Sequence, residues 1–186
     1  EVTMAEQPQD YRELCWAGLE IKAADGDEDE KSRVVSYVAS SDSIDSHGDI
    51  VEQDWILDRF AKNPVILYNH GRATGGGMFG GGALTPEQTL PIGRAVNWGV
   101  DGNKLKIDVE FAPPELNAFA DQVFRNVKAG FIKGGSVGFR PHTVLAETVN
   151  DVDVYRLKQN ELFEFSIVPI GSNQDAVSLS AENSSK

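Results

Sequence analysis

The chain has 186 residues, 40% of them hydrophobic, which suits one domain with a core of its own. Seventeen Lys and Arg against 29 Asp and Glu leave a formal net charge of −12, a balance that repels phosphate backbones and argues against direct nucleic-acid binding. The single cysteine, Cys15, excludes an internal disulfide, and no run approaches the roughly 18 apolar residues that a membrane span needs.

In chain order, residues 1–10 are polar and read as a flexible N-terminus. The chain starts at Glu1 rather than Met, which reads as a fragment or a processed product. Residues 14–23 (LCWAGLEIKA) are expected to form a first strand, with Cys15 as a core thiol in a reducing setting. An acidic turn, Asp25 to Glu30, leads to a second strand over 32–40, rich in β-branched and aromatic residues. A short helix is predicted over 54–62 and ends before Pro64, because proline disfavours a helical residue ahead of it. Residues 65–69 (VILYN) form a buried strand that delivers His70 to its end. Seven glycines between Gly71 and Gly82 then mark a mobile loop, with Gly75–Gly82 its densest part.

Two further strands follow, over 90–97 and 104–111. The second alternates strictly, with Leu105, Ile107, Val109 and Phe111 on one face and charged residues on the other. The one long helix is predicted over about 114–129. Pro113-Pro114 opens it, Leu116, Phe119, Ala120, Val123, Phe124 and Val127 form its apolar stripe, and Gly130 stops it. Strand-like segments come last, over 135–140, 143–148, 152–158 and 161–168. The tail from Gly171 is polar. These elements predict a mainly β fold with flanking helices (α+β), a closed or nearly closed barrel of about seven to eight strands. The division expected is a flexible 1–10, a domain over 11–172 and a flexible polar tail over 173–186.

The three histidines differ in setting. His47 lies among Asp42, Asp45 and Asp49, which hints at a cation loop, yet Ser46 replaces one ligand and Gln53 stands at the twelfth position where a calcium loop wants Glu. A polar turn is the simpler reading, and no metal or cofactor is expected. His142 follows Pro141 and reads as an exposed turn histidine. His70 sits where a rigid strand meets a loop, the position a general base needs. Ser136, in Gly-Gly-Ser-Val-Gly, matches the nucleophile-elbow pattern, but the following residues hold Pro141 and β-branched positions. No helix can follow there, so the α/β-hydrolase reading is rejected. A histidine base needs an acid to orient it. Glu164, mid-strand among apolar neighbours, must have a specific partner if buried, with an arginine ion pair as the alternative to a catalytic role. Glu161 is its competitor. Alternation puts Phe163, Phe165 and Ile167 on one face of this strand, and Leu162, Glu164, Ser166 and Val168 on the other.

Five pieces in order, over residues 35–176, resemble the prohead protease family of tailed bacteriophages. They are S-x-x-x-D-x-x-G-D-I-V (41–51), N-P-V-I-L-Y-N-H-G (63–71), P-I-G-R-A (91–95), G-x-I-K-G-G-S-V-G-F (130–139) and E-L-F-E-F-S-I-V-P-I-G-S-N-Q-D-A (161–176). The resemblance implies a herpesvirus-assemblin-like barrel and a serine endopeptidase with His70 as base, Ser136 as nucleophile and Glu164 as third member. Backbone amides near Ser172 and Asn173, or at Gly135, are expected to hold the oxyanion. The implied substrates are the major capsid protein, the scaffolding protein and the protease itself, inside the procapsid in the host cytoplasm. A homo-oligomer is implied by analogy. Membrane and nucleic acid are not expected as partners. A non-catalytic capsid-assembly module of the same fold is the rival reading.

Overall fold

The computed structural model describes residues 3–4, 32–45, 48–71 and 85–169. Its strands are β1 (Thr3–Met4), β2 (Val34–Ser41), β3 (Ile50–Val51), β4 (Val65–Tyr68), β5 (Gly93–Asp101), β6 (Lys104–Phe111), β7 (Gly134–Val149) and β8 (Val152–Val168). The helices are α1 (Asp58–Lys62), α2 (Pro86–Thr89) and α3 (Ala118–Lys128). The expected strand over 14–23, Cys15, His47, the Gly75–Gly82 segment, Ser172 and Asn173 lie outside the described residues.

All strands join one sheet in the order β1-β7-β8-β4-β5-β6-β2, with β3 pairing alongside β8. β2 also comes into contact with β7, so the path curls back on itself into a nearly closed barrel. Three register shifts accompany the curl: between Val38 and Ser40 on β2, between Ala95 and Asn97 on β5, and between Gly138 and Phe139 where β7 meets β8. An extra residue on one strand bends it and raises its twist, which is what a closing sheet requires. The fold class expected from the strand pattern is therefore present.

The barrel interior is filled from every major strand. Tyr37, Ile66, Leu105, Ile107, Phe111, Leu162, Phe165 and Ile167 are all nearly or wholly buried, and the Tyr37 and Phe165 rings meet edge to face at 5.4 Å. β6 buries the four residues its alternation marks. Among the described residues no helix is long and apolar enough to cross a membrane.

Three expectations about elements are corrected. The last four predicted strands are two, because β7 and β8 form one long hairpin. Its two-residue turn is Asn150-Asp151, both at positive φ (50° and 63°), the geometry that matches strand twist. Pro141 does not break β7. It sits opposite Asn160 on a stretch where β8 is the described neighbour on one side alone, an edge position that tolerates a missing N–H. Residues 54–57 lie outside the helix, since Ile56 exchanges backbone hydrogen bonds with Asn160 and Leu162 of β8, and α1 is left with five residues.

The long helix begins at Ala118 instead of 114. Asn117 caps it, its side chain accepting the Ala120 N–H at 3.1 Å, and Leu116 falls outside the helix and is 77% exposed. Gly130 (φ 77°) ends it as expected, with Phe131 N–H bonded to Asn126 O and Gly130 N–H to Val127 O. Arg33, just before β2, ties the helix to the barrel rim. It pairs with buried Asp121 at 2.8 Å, donates to the carbonyls of Phe111 and Ala112, and lies over the Phe124 ring.

Candidate functional site

The site is built on the outer side of the central strands, against the face that fills the barrel. On β7 the side chains of Val137 and Phe139 are buried in the core, so Ser136 and Gly138 face the other way. On β8 the core residues are Phe165 and Ile167, which turns Glu164 and Ser166 to the same outer face. The register completes the arrangement: Ser136 lies opposite Ser166, and Gly138 opposite Glu164. β4 runs parallel to β8 on its other side, with Tyr68 beside Ile167, and so releases the chain at His70 over that face.

The expected alternation along β8 fails at one point. Gly138 pairs with Glu164 but Phe139 pairs with Leu162, so Phe163 is an extra residue in a bulge. Beyond the bulge the faces exchange. Leu162 is 0% exposed in the core, while Phe163 leaves it and carries Arg59 over its ring at 4.3 Å and Arg140 at 5.5 Å. A single insertion thus switches which alternate residues of β8 look into the core.

His70 is reached through a left-handed turn. Asn69 (φ 49°) and His70 (φ 57°, ψ 24°) both occupy a region that costs an ordinary residue ~1–2 kcal/mol, though Asn and His enter it more readily than most. What holds His70 there is visible. Its backbone N–H donates to Ser166 Oγ at 3.2 Å, and its ring Nδ1 lies 2.6 Å from Glu164 Oε1. The other Glu164 oxygen accepts the Ser166 hydroxyl at 2.6 Å. The His70 and Glu164 side chains are 5% and 15% exposed, so this pair is largely withdrawn from water.

The carboxylate has room only because residue 138 has no side chain. A Cβ at Gly138 would lie 2.3 Å from Glu164 Oε1, far inside van der Waals contact. Gly138→Ala is expected to displace the carboxylate from His70 and lower activity at least about 10-fold, because sub-ångström placement governs such sites. The comparison is processing of a co-expressed substrate by the two proteins at equal folded concentration, judged by circular dichroism.

Ser136 is wholly buried, and its Oγ has no hydrogen-bond partner among the described residues. An unpaired buried hydroxyl costs ~1–3 kcal/mol, so its presence needs a reason. Gly135 is buried beside it, opposite Ile167.

The competing residues fall elsewhere. Glu161 lies opposite Arg140, beyond the bulge from Glu164, and its carboxylate is 3.3 Å from Nε2 of half-exposed His142. The geometry thus separates the two carboxylates: Glu164 meets His70, Glu161 meets His142. The acidic loop does not gather its carboxylates. Asp42 accepts from Asn103 at 2.7 Å, while Asp45 accepts the Asp49 N–H at 2.9 Å within its own turn. Among the described residues no group of three or more His, Cys, Asp or Glu could hold a metal ion.

Sequence reasoning missed two contributors, Ser166 and Gly138. Ser166 was placed on the Glu164 face by alternation, and its spacing of two residues from Glu164 was the available signal. Gly138 was read only as part of the glycine pattern around Ser136 in a strand-like segment.

A family model described as caudovirus prohead serine protease matches residues 91–186, more than half of the chain and a span holding Ser136 and Glu164. The chain is 27% identical over 183 residues to the prohead protease of Escherichia phage T5, covering 93% of this chain and 76% of that protein. It is 25% identical over 173 residues to the capsid polyprotein of Pseudomonas phage PAJU2, covering 91% of this chain; it spans 22% of the polyprotein's length. No solved structure matches. With more than half its length matched to that model, the chain belongs to the caudovirus prohead serine protease family.

Proposed function

We propose that this protein is a serine endopeptidase of capsid maturation in which Ser136 is the nucleophile, His70 the general base and Glu164 the orienting acid. The observation that carries the proposal is the 2.6 Å contact between His70 and Glu164 on the sheet face that Ser136 shares. In the reaction, Ser136 Oγ attacks a peptide carbonyl as His70 takes its proton through Nε2. The imidazolium formed is balanced by Glu164, which stays ionised and holds the proton on Nδ1. His70 then returns the proton to the leaving amine, and water hydrolyses the acyl-enzyme by the same route reversed. The oxyanion is assigned to backbone amides, at Gly135 or at Ser172-Asn173. In a free enzyme the serine–histidine hydrogen bond is commonly long and tightens only with substrate bound.

The substrates in this reading are the major capsid protein, the scaffolding protein and the protease's own chain, cut inside the procapsid. What supports a capsid-related substrate is that one relative is a prohead protease and another a capsid polyprotein. Confinement there raises local concentration and offsets weak intrinsic activity, with or without association of protease copies.

The test is covalent labelling by a fluorophosphonate, which reacts preferentially with an activated serine. Mass spectrometry of the labelled protein is expected to place the adduct on Ser136, with labelling lost in His70→Ala and kept in His142→Ala. Cleavage of a co-expressed capsid protein without any adduct at Ser136 defeats the assignment. Absence of both labelling and cleavage leaves the chain as a docking module for capsid assembly.

A further inference from the structure

Resting on that reading of the site, we infer that Ser166 is a positioning residue of the catalytic apparatus, the link that locks the acid and the base into one closed ring of hydrogen bonds. The ring starts and ends on His70. The His70 backbone N–H donates to Ser166 Oγ (3.2 Å), the Ser166 hydroxyl donates to Glu164 Oε2 (2.6 Å), and Glu164 Oε1 meets His70 Nδ1 (2.6 Å). Ser166 is 0% exposed, so water does not substitute for either bond.

The chemistry of a hydroxyl fits this position and few others would. It has one proton to give and lone pairs to receive. Here the proton goes to a carboxylate and a lone pair receives a main-chain amide, so both capacities serve the same two residues. The donated bond fixes the carboxylate plane by occupying Oε2, leaving Oε1 for the ring. The accepted bond holds the His70 backbone in its left-handed turn, from which the imidazole is aimed. Gly138 supports the same carboxylate from the neighbouring strand by leaving space beneath it. An acid held only by the imidazole would be free to rotate about its terminal bond. Held at both oxygens, it presents a fixed acceptor, the preorganisation that catalytic groups need. Ser166 touches neither substrate nor the reacting atoms, and acts through Glu164 and His70.

Fluorophosphonate labelling tests this without knowledge of the cleavage site, because its saturation curve separates reagent binding from the rate of serine attack. Ser166→Ala is expected to lower the rate of attack per folded molecule about 10- to 100-fold while the half-saturating concentration stays near that of the parent protein; the melting temperature falls as well, because two buried hydrogen bonds are lost. A purely structural role would lower the melting temperature alone and leave the attack rate per folded molecule unchanged. The second arm is a double substitution. If Ser166 works through the carboxylate, adding Ser166→Ala to Glu164→Gln should change the attack rate by less than about 2-fold, since coupled residues are not additive. Full additivity overturns the inference, as does parent-like attack in Ser166→Ala. Should that variant not fold, Ser166→Cys preserves the shape with a weaker donor; a loss of about 5-fold or more supports the ring, and a parent-like rate overturns it. The two levels of proposal fail separately: an unimpaired Ser166→Ala with labelling still at Ser136 removes only the ring, while labelling elsewhere than Ser136 removes the catalytic assignment beneath it.

Discussion

Replacing Ser136 with alanine is expected to lower processing of the capsid substrate on the order of 10⁴-fold or more while leaving the protein as stable as before, or more so. The two signs have one cause. Removing a nucleophile leaves only the rate gained from binding and oxyanion stabilisation, so activity falls by several orders of magnitude. The same hydroxyl, however, is wholly buried without a hydrogen-bond partner among the described residues, so the folded state loses nothing by its removal. Deleting an unpaired buried polar group is neutral or favourable, by up to ~1–2 kcal/mol. A structural serine would behave in the opposite way: alanine would cost stability through a lost hydrogen bond and spare activity. The measurement is the ratio of processed to unprocessed capsid protein on co-expression, beside chemical denaturation of the purified variant. Retained processing sinks the nucleophile assignment.

Much of this site was legible in the sequence because its parts lie at places where local chemistry is restrictive. His70 ends an apolar run and precedes glycine, and Ser136 sits among glycines in a strand. The β6 alternation needed no tertiary information, since every second residue is apolar and the structure buries those residues. What stayed hidden is what depends on register. The bulge at Phe163 leaves no mark in the sequence, because bulges are set by how two strands meet. Yet it decides that Leu162 is core and Phe163 is not. The same insertion turns Glu161 to the face of Glu164, where strict alternation would set the two on opposite faces. Three residues apart, the two carboxylates look interchangeable until β7 supplies a glycine opposite one and an arginine opposite the other. The continuity of β7 through Pro141 was hidden for a similar reason, as proline argues for a break until the strand's edge position is known. The left-handed turn at Asn69-His70 carried only the weak hint that both residue types tolerate positive φ.

Glu164→Gln should cost about 10²- to 10⁴-fold in activity, whereas Glu161→Gln should change it by less than about 3-fold. The argument lies in what each oxygen accepts. A carboxylate has acceptors at both ends, and Glu164 uses them for the Ser166 hydroxyl and for His70 Nδ1. Glutamine keeps the shape but replaces one acceptor with an NH2 donor. If that NH2 faces His70, the Nδ1 must itself accept, the ring proton moves to Nε2, and the nitrogen needed to receive the serine proton is already occupied. If it faces Ser166 instead, the bond reverses: the NH2 donates to Ser166 Oγ, and the hydroxyl proton loses the carboxylate that accepted it. In either orientation the negative charge that offsets the imidazolium is gone. Glu161 has no comparable commitment. Its partner His142 is half exposed and 3.3 Å away, and exposed pairs contribute ~0–1 kcal/mol. Processing assays on both variants, with melting curves to confirm folding, decide the matter: equal losses would mean that the His70–Glu164 contact does not orient the base, and the triad would have to be drawn again without its acid.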